Sequence, residues 1–304
     1  MRIRTWGAAC AVAIGGFIAA GGAAGQSHPA NVNWPSYLPA MPAPAQIQPG
    51  SVPYCRTPSV RCVDTEIRRM RRLQGDLGCD HRAVFATTYL ELTRQLREDL
   101  SRSGLKKQLI DPKYLYTEDA LFANVYFDSY KLDKRGRDVP DAWQIAFETA
   151  RRGEVNGAQD MLLGINAHVQ NDMPYVLAAL GLVTRDGRSR KPDHDLINVT
   201  SLDRAYERVV KAVTDRYDPL VATTNSPAHP GDNIAGLELV KQWRERVWRN
   251  AERLVNASSD GERRAVSADI ESYAAEWARN IAAAQEPGAR ERRDAYCRER
   301  LGKP

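Results

Sequence analysis

The chain has 304 residues, with 43 lysines and arginines against 38 aspartates and glutamates, and 43% of its residues are hydrophobic. The net charge of +5 is small for this length, and Arg2 and Arg4 of an N-terminal leader supply two of those charges. A chain so close to balance has no strong electrostatic pull toward nucleic acid or a membrane surface.

Residues 1–25 read as a signal peptide: a charged start, an apolar run and a small-residue end near Ala24 and Gly25. The expected location is therefore secreted or periplasmic. Residues 26–59 are proline-rich without apolar period, which reads as an arm or linker. The helical domain is expected over residues 60–304. Four cysteines lie beyond the leader, at 55, 62, 79 and 297. In an exported chain they read as two disulfides, and Cys55–Cys62 with Cys79–Cys297 is the favoured pairing. A four-cysteine zinc site lacks a second close pair.

From Asp64 onward the period is helical. Asp64 or Thr65 is a cap for a helix carrying Ile67, Met70, Leu73 and Leu77, closed by Gly75 and Gly78. Asp80 caps the next helix, whose stripe is Phe85, Tyr89, Leu92, Leu96 and Leu100, with Gly104 beyond its end. Pro112 and Pro140 each open a further helix. Residues 161–183 form the longest apolar run outside the leader. Leu162, Ile165, Val169, Met173, Val176, Leu177 and Leu180 recur at helical steps. A helix apolar nearly all round belongs in the middle of a bundle, and this one is expected over about 155–183. Its amides and its histidine argue against insertion into a bilayer. Residues 184–198 read as a loop, and four more helices follow over 201–217, 232–257, 261–285 and 289–301. No alternating run is long enough for a sheet, so the fold class is all-α, a single multi-helix bundle around the buried central helix.

Phosphate loops, nucleophile elbows and zincin motifs are absent from the sequence. What remains is a sparse set of histidines and carboxylates. His168 and Asp172 stand one turn apart on the central helix, where both side chains share a face. His194 and Asp195 follow Pro192, and His81 opens a helix beside Asp80. Imidazole and carboxylate suit zinc or another divalent metal, and an open coordination position would activate water for hydrolysis. The expected metal ligands are His168, Asp172, His194 and His81. Asp195 or Asp128 is the candidate general base, and Arg82 the group that orients an anion. The rival reading makes the same residues a buried structural network, since buried polar groups are normally paired. A third reading is a metal-free acid–base dyad. Asp172 could also cap a helix restarting at Pro174, which would kink the element.

The strings LLGINAHVQNDMPYVLA, DHRAVFATTYLELT, FANVYFDSY, VPDAWQIAF and DHDLIN together resemble an uncharacterised bacterial helical family, domain of unknown function 5995, over about 79–254. That resemblance implies a helical fold and no activity. The shorter string HVQNDMPYVL is similar to one helix of zinc-dependent phospholipases C and single-strand nucleases. This second resemblance implies metal ligation by His168 and Asp172 and cleavage of phosphoester bonds. The chain departs from that pattern: its proline comes early, and no second histidine follows it. The resulting expectation is a metal-dependent hydrolase acting on a small-molecule or envelope substrate. The alternative is a non-enzymatic envelope or binding domain.

Overall fold

The computed structural model describes residues 50–221 and 232–302, with backbone alone for residue 103 and residues 232–235. The expected leader, most of the proline-rich arm, His28 and the loop carrying His229 lie outside the described residues. Helices dominate and, among the described residues, no strand forms; a single bridge pairs Val183 with Ser189. No described helix is long and apolar enough to cross a membrane.

Helix α1 spans Val60–Leu77 and starts four residues before the Asp64 cap expected from sequence. Ser59, extended and directly after Pro58, occupies the capping position instead. The chain just before it is tied down. The Cys55–Cys62 disulfide closes this turn, and Val52 is fully buried against the core. The end of the arm is thus packed rather than free. Helix α2 spans Ala83–Ser101 and α3 spans Ser103–Gln108, so Gly104 lies inside a short helix and does not terminate α2. Helix α4 (Pro112–Lys134) begins where Asp111 accepts the Tyr114 N–H, and α5 (Asp141–Arg152) ends on left-handed Gly153.

The central element is continuous from Gly157 to Leu180 in three parts: α6 (Gly157–Ile165), a π-helical stretch π1 (Asn166–Asp172) and α7 (Met173–Leu180). A capping box of Asn156 and Gln159 starts it. Tyr175, Val176, Leu177 and Ala179 are almost wholly buried, as an all-round apolar pattern requires. Helices α2, α4, α5, α10 (Asp232–Asn256) and α11 (Asp260–Ala283) pack around it, with α5 and α11 also packed against each other. Gly164 makes the α6–α2 crossing possible, because a Cβ there would overlap the Phe85 ring.

Residues 191–197, expected as loop, form helix α8 (Lys191–Ile197), with Pro192 in its first turn. Asp193 anchors it by accepting the N–H groups of Ile110 and Asp111 at 2.7 and 2.9 Å. A second π-helical stretch, π2 (Asn198–Leu202), leads into α9 (Asp203–Arg216). Composition marked this stretch as loop because its long-range anchor cannot be seen locally. The last helix, α12 (Ala289–Leu301), is fixed to the start of α2 by Cys79–Cys297, with Cα atoms 5.7 Å apart. Both disulfides follow the favoured pairing, and they are compatible with an oxidising compartment.

Candidate functional site

Pro174 explains π1. A proline inside a helix lacks the N–H for the carbonyl four residues back, and its ring clashes with that carbonyl. Here those conflicts fall on Gln170. The backbone widens by one residue per turn, and the Met173 N–H reaches the His168 carbonyl. Helical angles persist through Asp172 and Met173, so the element widens where a kink was expected. Asp172 makes no cap hydrogen bond. Short π segments recur at functional sites, and this one carries both His168 and Asp172.

Asp172 is fully buried and accepts three hydrogen bonds. Trp143 Nε1 donates to Oδ2 at 2.8 Å, Asn171 Nδ2 to Oδ1 at 2.9 Å, and His168 Nδ1 to Oδ2 at 2.9 Å. The carboxylate thereby fixes the proton on Nδ1 and leaves a lone pair on Nε2. Among the described residues His168 Nε2 has no hydrogen-bond partner. Burial holds the His168 imidazole below its ordinary pKa, against the opposing pull of Asp172, so it is neutral. Phe122 stacks on the ring at 3.4 Å and 6°, Tyr89 approaches at 4.8 Å, and Phe85, Tyr126 and Trp143 complete an aromatic cage.

Tyr89 leads to a group that sequence reasoning missed. Its hydroxyl is buried without a partner among the described residues, as are Asp119 Oδ2 and Glu66 Oε1. Burial raises the Tyr89 phenol well above its usual range, and Asp119 and Glu66 raise it further, which sets the three in one electrostatic neighbourhood. Burial also pushes Asp119 well above the carboxylate range, helped by Glu66 and Glu118. Glu66 rises to about 7 by burial, although Arg69 donates to it at 2.6 Å. The available signal was the adjacent acids Glu118 and Asp119 set between Leu115 and Leu121 in the more apolar half of α4.

The other expected residues have partners elsewhere. His81 faces Asp294 at 3.0 Å, and Arg82 pairs with Asp80 at 2.6 Å. Asp128 lies in an exposed pair with Lys131, and Asp195 in a half-buried one with Lys191. His194 Nε2 donates to the Arg244 carbonyl at 3.1 Å, while Arg244 donates to its Nδ1 at 3.2 Å. The structure joins His168 to Asp172 and to none of these. A catalytic zinc takes three protein ligands. Among the described residues no three histidine, cysteine, aspartate or glutamate side chains stand together to hold a metal.

A family described as "Family of unknown function (DUF5995)" matches residues 63–284. No curated protein and no solved structure matches the chain.

Proposed function

Because the chain belongs to DUF5995, a family whose description names no activity, we propose its function from the dyad: His168 is a general base that activates water in a hydrolytic reaction. The observation that carries this reading is an Nε2 lone pair without a partner on an imidazole whose other nitrogen is locked to Asp172. A base needs that lone pair directed at the proton it removes. Tyr89 and Asp119 supply the complementary acid, since both hold their protons at neutral pH. Paired groups whose surroundings push them toward opposite proton states divide into acid and base roles. The π1 backbone carries the dyad at a cost in regularity, as functional segments do.

One observation favours a second reading, a purely structural network. His168 is 2% exposed and Asp172 0%. Diethyl pyrocarbonate acylates neutral, accessible imidazole and separates the two. Mass spectrometry of the native protein is expected to find the adduct on His168, lost in His168→Gln. An adduct-free His168 under conditions that label an accessible histidine would favour the structural network. Hydrolysis of nitrophenyl esters and phosphates, followed with and without chelator, tests the activity. Stoichiometric bound metal with chelator-sensitive turnover would return the metal-dependent hydrolase expected from sequence.

A further inference from the structure

The chain as a whole is near charge balance, but its charge is unevenly spread. Helix α1 carries Arg61 and the run Arg68, Arg69, Arg71 and Arg72, and the fold sorts them by direction. Arg69 turns inward. It donates to Glu66 at 2.6 Å and to Asn124 at 2.7 Å, and its guanidinium lies 4.0 Å from the ring centres of Tyr54 and Phe127. Arg61, Arg68, Arg71 and Arg72 are exposed. Steps of seven and four residues set Arg61, Arg68 and Arg72 on one face, over about 16 Å of helix axis, with Arg71 flanking them.

Among the described residues none of these four makes an ion pair; Arg68 bonds only the Thr65 hydroxyl, at 2.8 Å. On the adjoining helix α2, by contrast, Arg94 pairs with Glu91 and Arg97 with Asp64. The acids of α1 do little to neutralise the row. Asp64 is taken by Arg97, Glu66 is buried against Arg69, and only Asp76 is exposed. Like charges at neighbouring helical positions repel, and an anionic partner removes that cost. Tyr54 lies beside the row, across Arg69. It is 59% exposed and, among the described residues, the one non-glycine residue with positive φ, at 66°. The Cys55–Cys62 disulfide and the buried Val52 fix the turn that presents it. An exposed tyrosine beside basic side chains suits a membrane–water interface, where its ring sits at headgroup level.

We propose that the outer face of α1, with Tyr54 at its edge, docks on an anionic lipid surface. The arginines neutralise headgroup charge, and the protein lies on the surface without entering it. Two observations favour lipid over nucleic acid. Both disulfides suit an oxidising compartment, where a membrane surface is at hand and nucleic acid is not. Four arginines are also a short footprint for a duplex that carries a charge every ~1.7 Å. The docking face does not rest on the proposed role of His168.

Cosedimentation of the full chain with vesicles tests the proposal. Vesicles of phosphatidylcholine and phosphatidylglycerol in equal parts are expected to bind at least tenfold more tightly than phosphatidylcholine alone, with the difference shrinking as salt is raised. The triple variant Arg61→Gln, Arg68→Gln, Arg72→Gln should weaken binding to the mixed vesicles about a hundredfold, at about fivefold per arginine. Glutamine matches arginine in helix propensity, so α1 is kept. A charge-matched triple variant, Arg152→Gln, Arg188→Gln, Arg253→Gln, removes three exposed arginines that already have carboxylate partners. It should stay within about twofold of the unchanged chain. Arg2 and Arg4 of the leader are present in every form, so the difference between the variants reads α1. No binding to mixed vesicles, equal binding to both lipid compositions, or equal losses in the two triple variants would each overturn the proposal. A duplex oligonucleotide bound through the α1 arginines, with no affinity for the mixed vesicles, would overturn it in favour of nucleic acid.

Discussion

Two buried histidines in this protein use the same backbone device and end in opposite states. His168 lies within π1, and His194 lies on α8 just ahead of π2. His194 is complete: Nε2 donates to the Arg244 carbonyl, and Nδ1 accepts from the Arg244 guanidinium. Arg244 goes on to Asn198 at 2.5 Å and Met173 at 3.2 Å, so it ties the first residue of π2 to the residue that follows π1. His168 is half complete, with Nδ1 locked and Nε2 unpartnered. The difference teaches that burial and a widened helix do not by themselves mark chemistry. What separates the two imidazoles is hydrogen-bond completeness: both ring nitrogens of His194 are engaged, whereas His168 Nε2 is not, and an unmet buried lone pair costs free energy.

The comparison breaks most sharply at Asp172. Asp172→Ala should remove the acceptor that holds the proton on Nδ1 and let the tautomer reverse, lowering any hydrolytic rate by about 10²–10⁴-fold. His194→Gln should leave that rate within about twofold, by the same logic that it holds no free lone pair. Equal losses in the two variants would erase the distinction between the sites.

Next in size is Arg244→Met. It leaves the Asn198 and His194 carbonyl oxygens unmet and should cost about 2–4 kcal/mol in chemical denaturation. A loss below about 0.5 kcal/mol would mean that the guanidinium is not the tie between the two π segments.

Glu118 sharpens the comparison by pH. It is buried on α4 beside Arg244, and burial raises it from 4.5 to about 7. The folded state therefore holds its proton where the unfolded state has lost it. The destabilisation is absent below about pH 4.5, grows as pH rises, and is complete above about 7, where it amounts to about 3 kcal/mol. Glu118→Gln should stabilise the protein by about 2–3 kcal/mol at pH 8 and by almost nothing at pH 4. A gain independent of pH would point to packing instead of ionisation.

The smallest effect is expected on the acid side. Burial and Arg244 hold His194 well below its ordinary 6.5. A base depressed in the folded state gives full stability above the unfolded value and loses it as pH falls through and below 6.5. His194→Gln should flatten that slope of the stability curve by about 1 kcal/mol per pH unit. An unchanged slope would mean that the folded imidazole takes up its proton as readily as the unfolded one.

Much of the architecture was legible in the chain itself. The three- and four-residue recurrence of apolar side chains from Leu162 to Leu180 identified the buried central helix, since that period alone brings them onto a helical surface. Pro112 and Pro140 marked helix starts, and the favoured pairing of Cys55 with Cys62 and Cys79 with Cys297 is the one the structure holds. His168 and Asp172 were visible as an i,i+4 couple because their contact is local. What sequence could not supply was closure in space. Asp193 anchors α8 through backbone more than eighty positions away, so residues 191–197 looked like loop. Whether His81, His168 and His194 share one centre depends on how α2, π1 and α8 pack, and the packing gives each a separate set of partners. Tyr89, Asp119 and Glu66 lie on α2, α4 and α1 and influence one another only through the tertiary fold, and their proton states are set by burial that no local pattern encodes. Periodicity and covalent pairing are properties of neighbours along the chain; hydrogen-bond completeness and desolvation belong to neighbours in space.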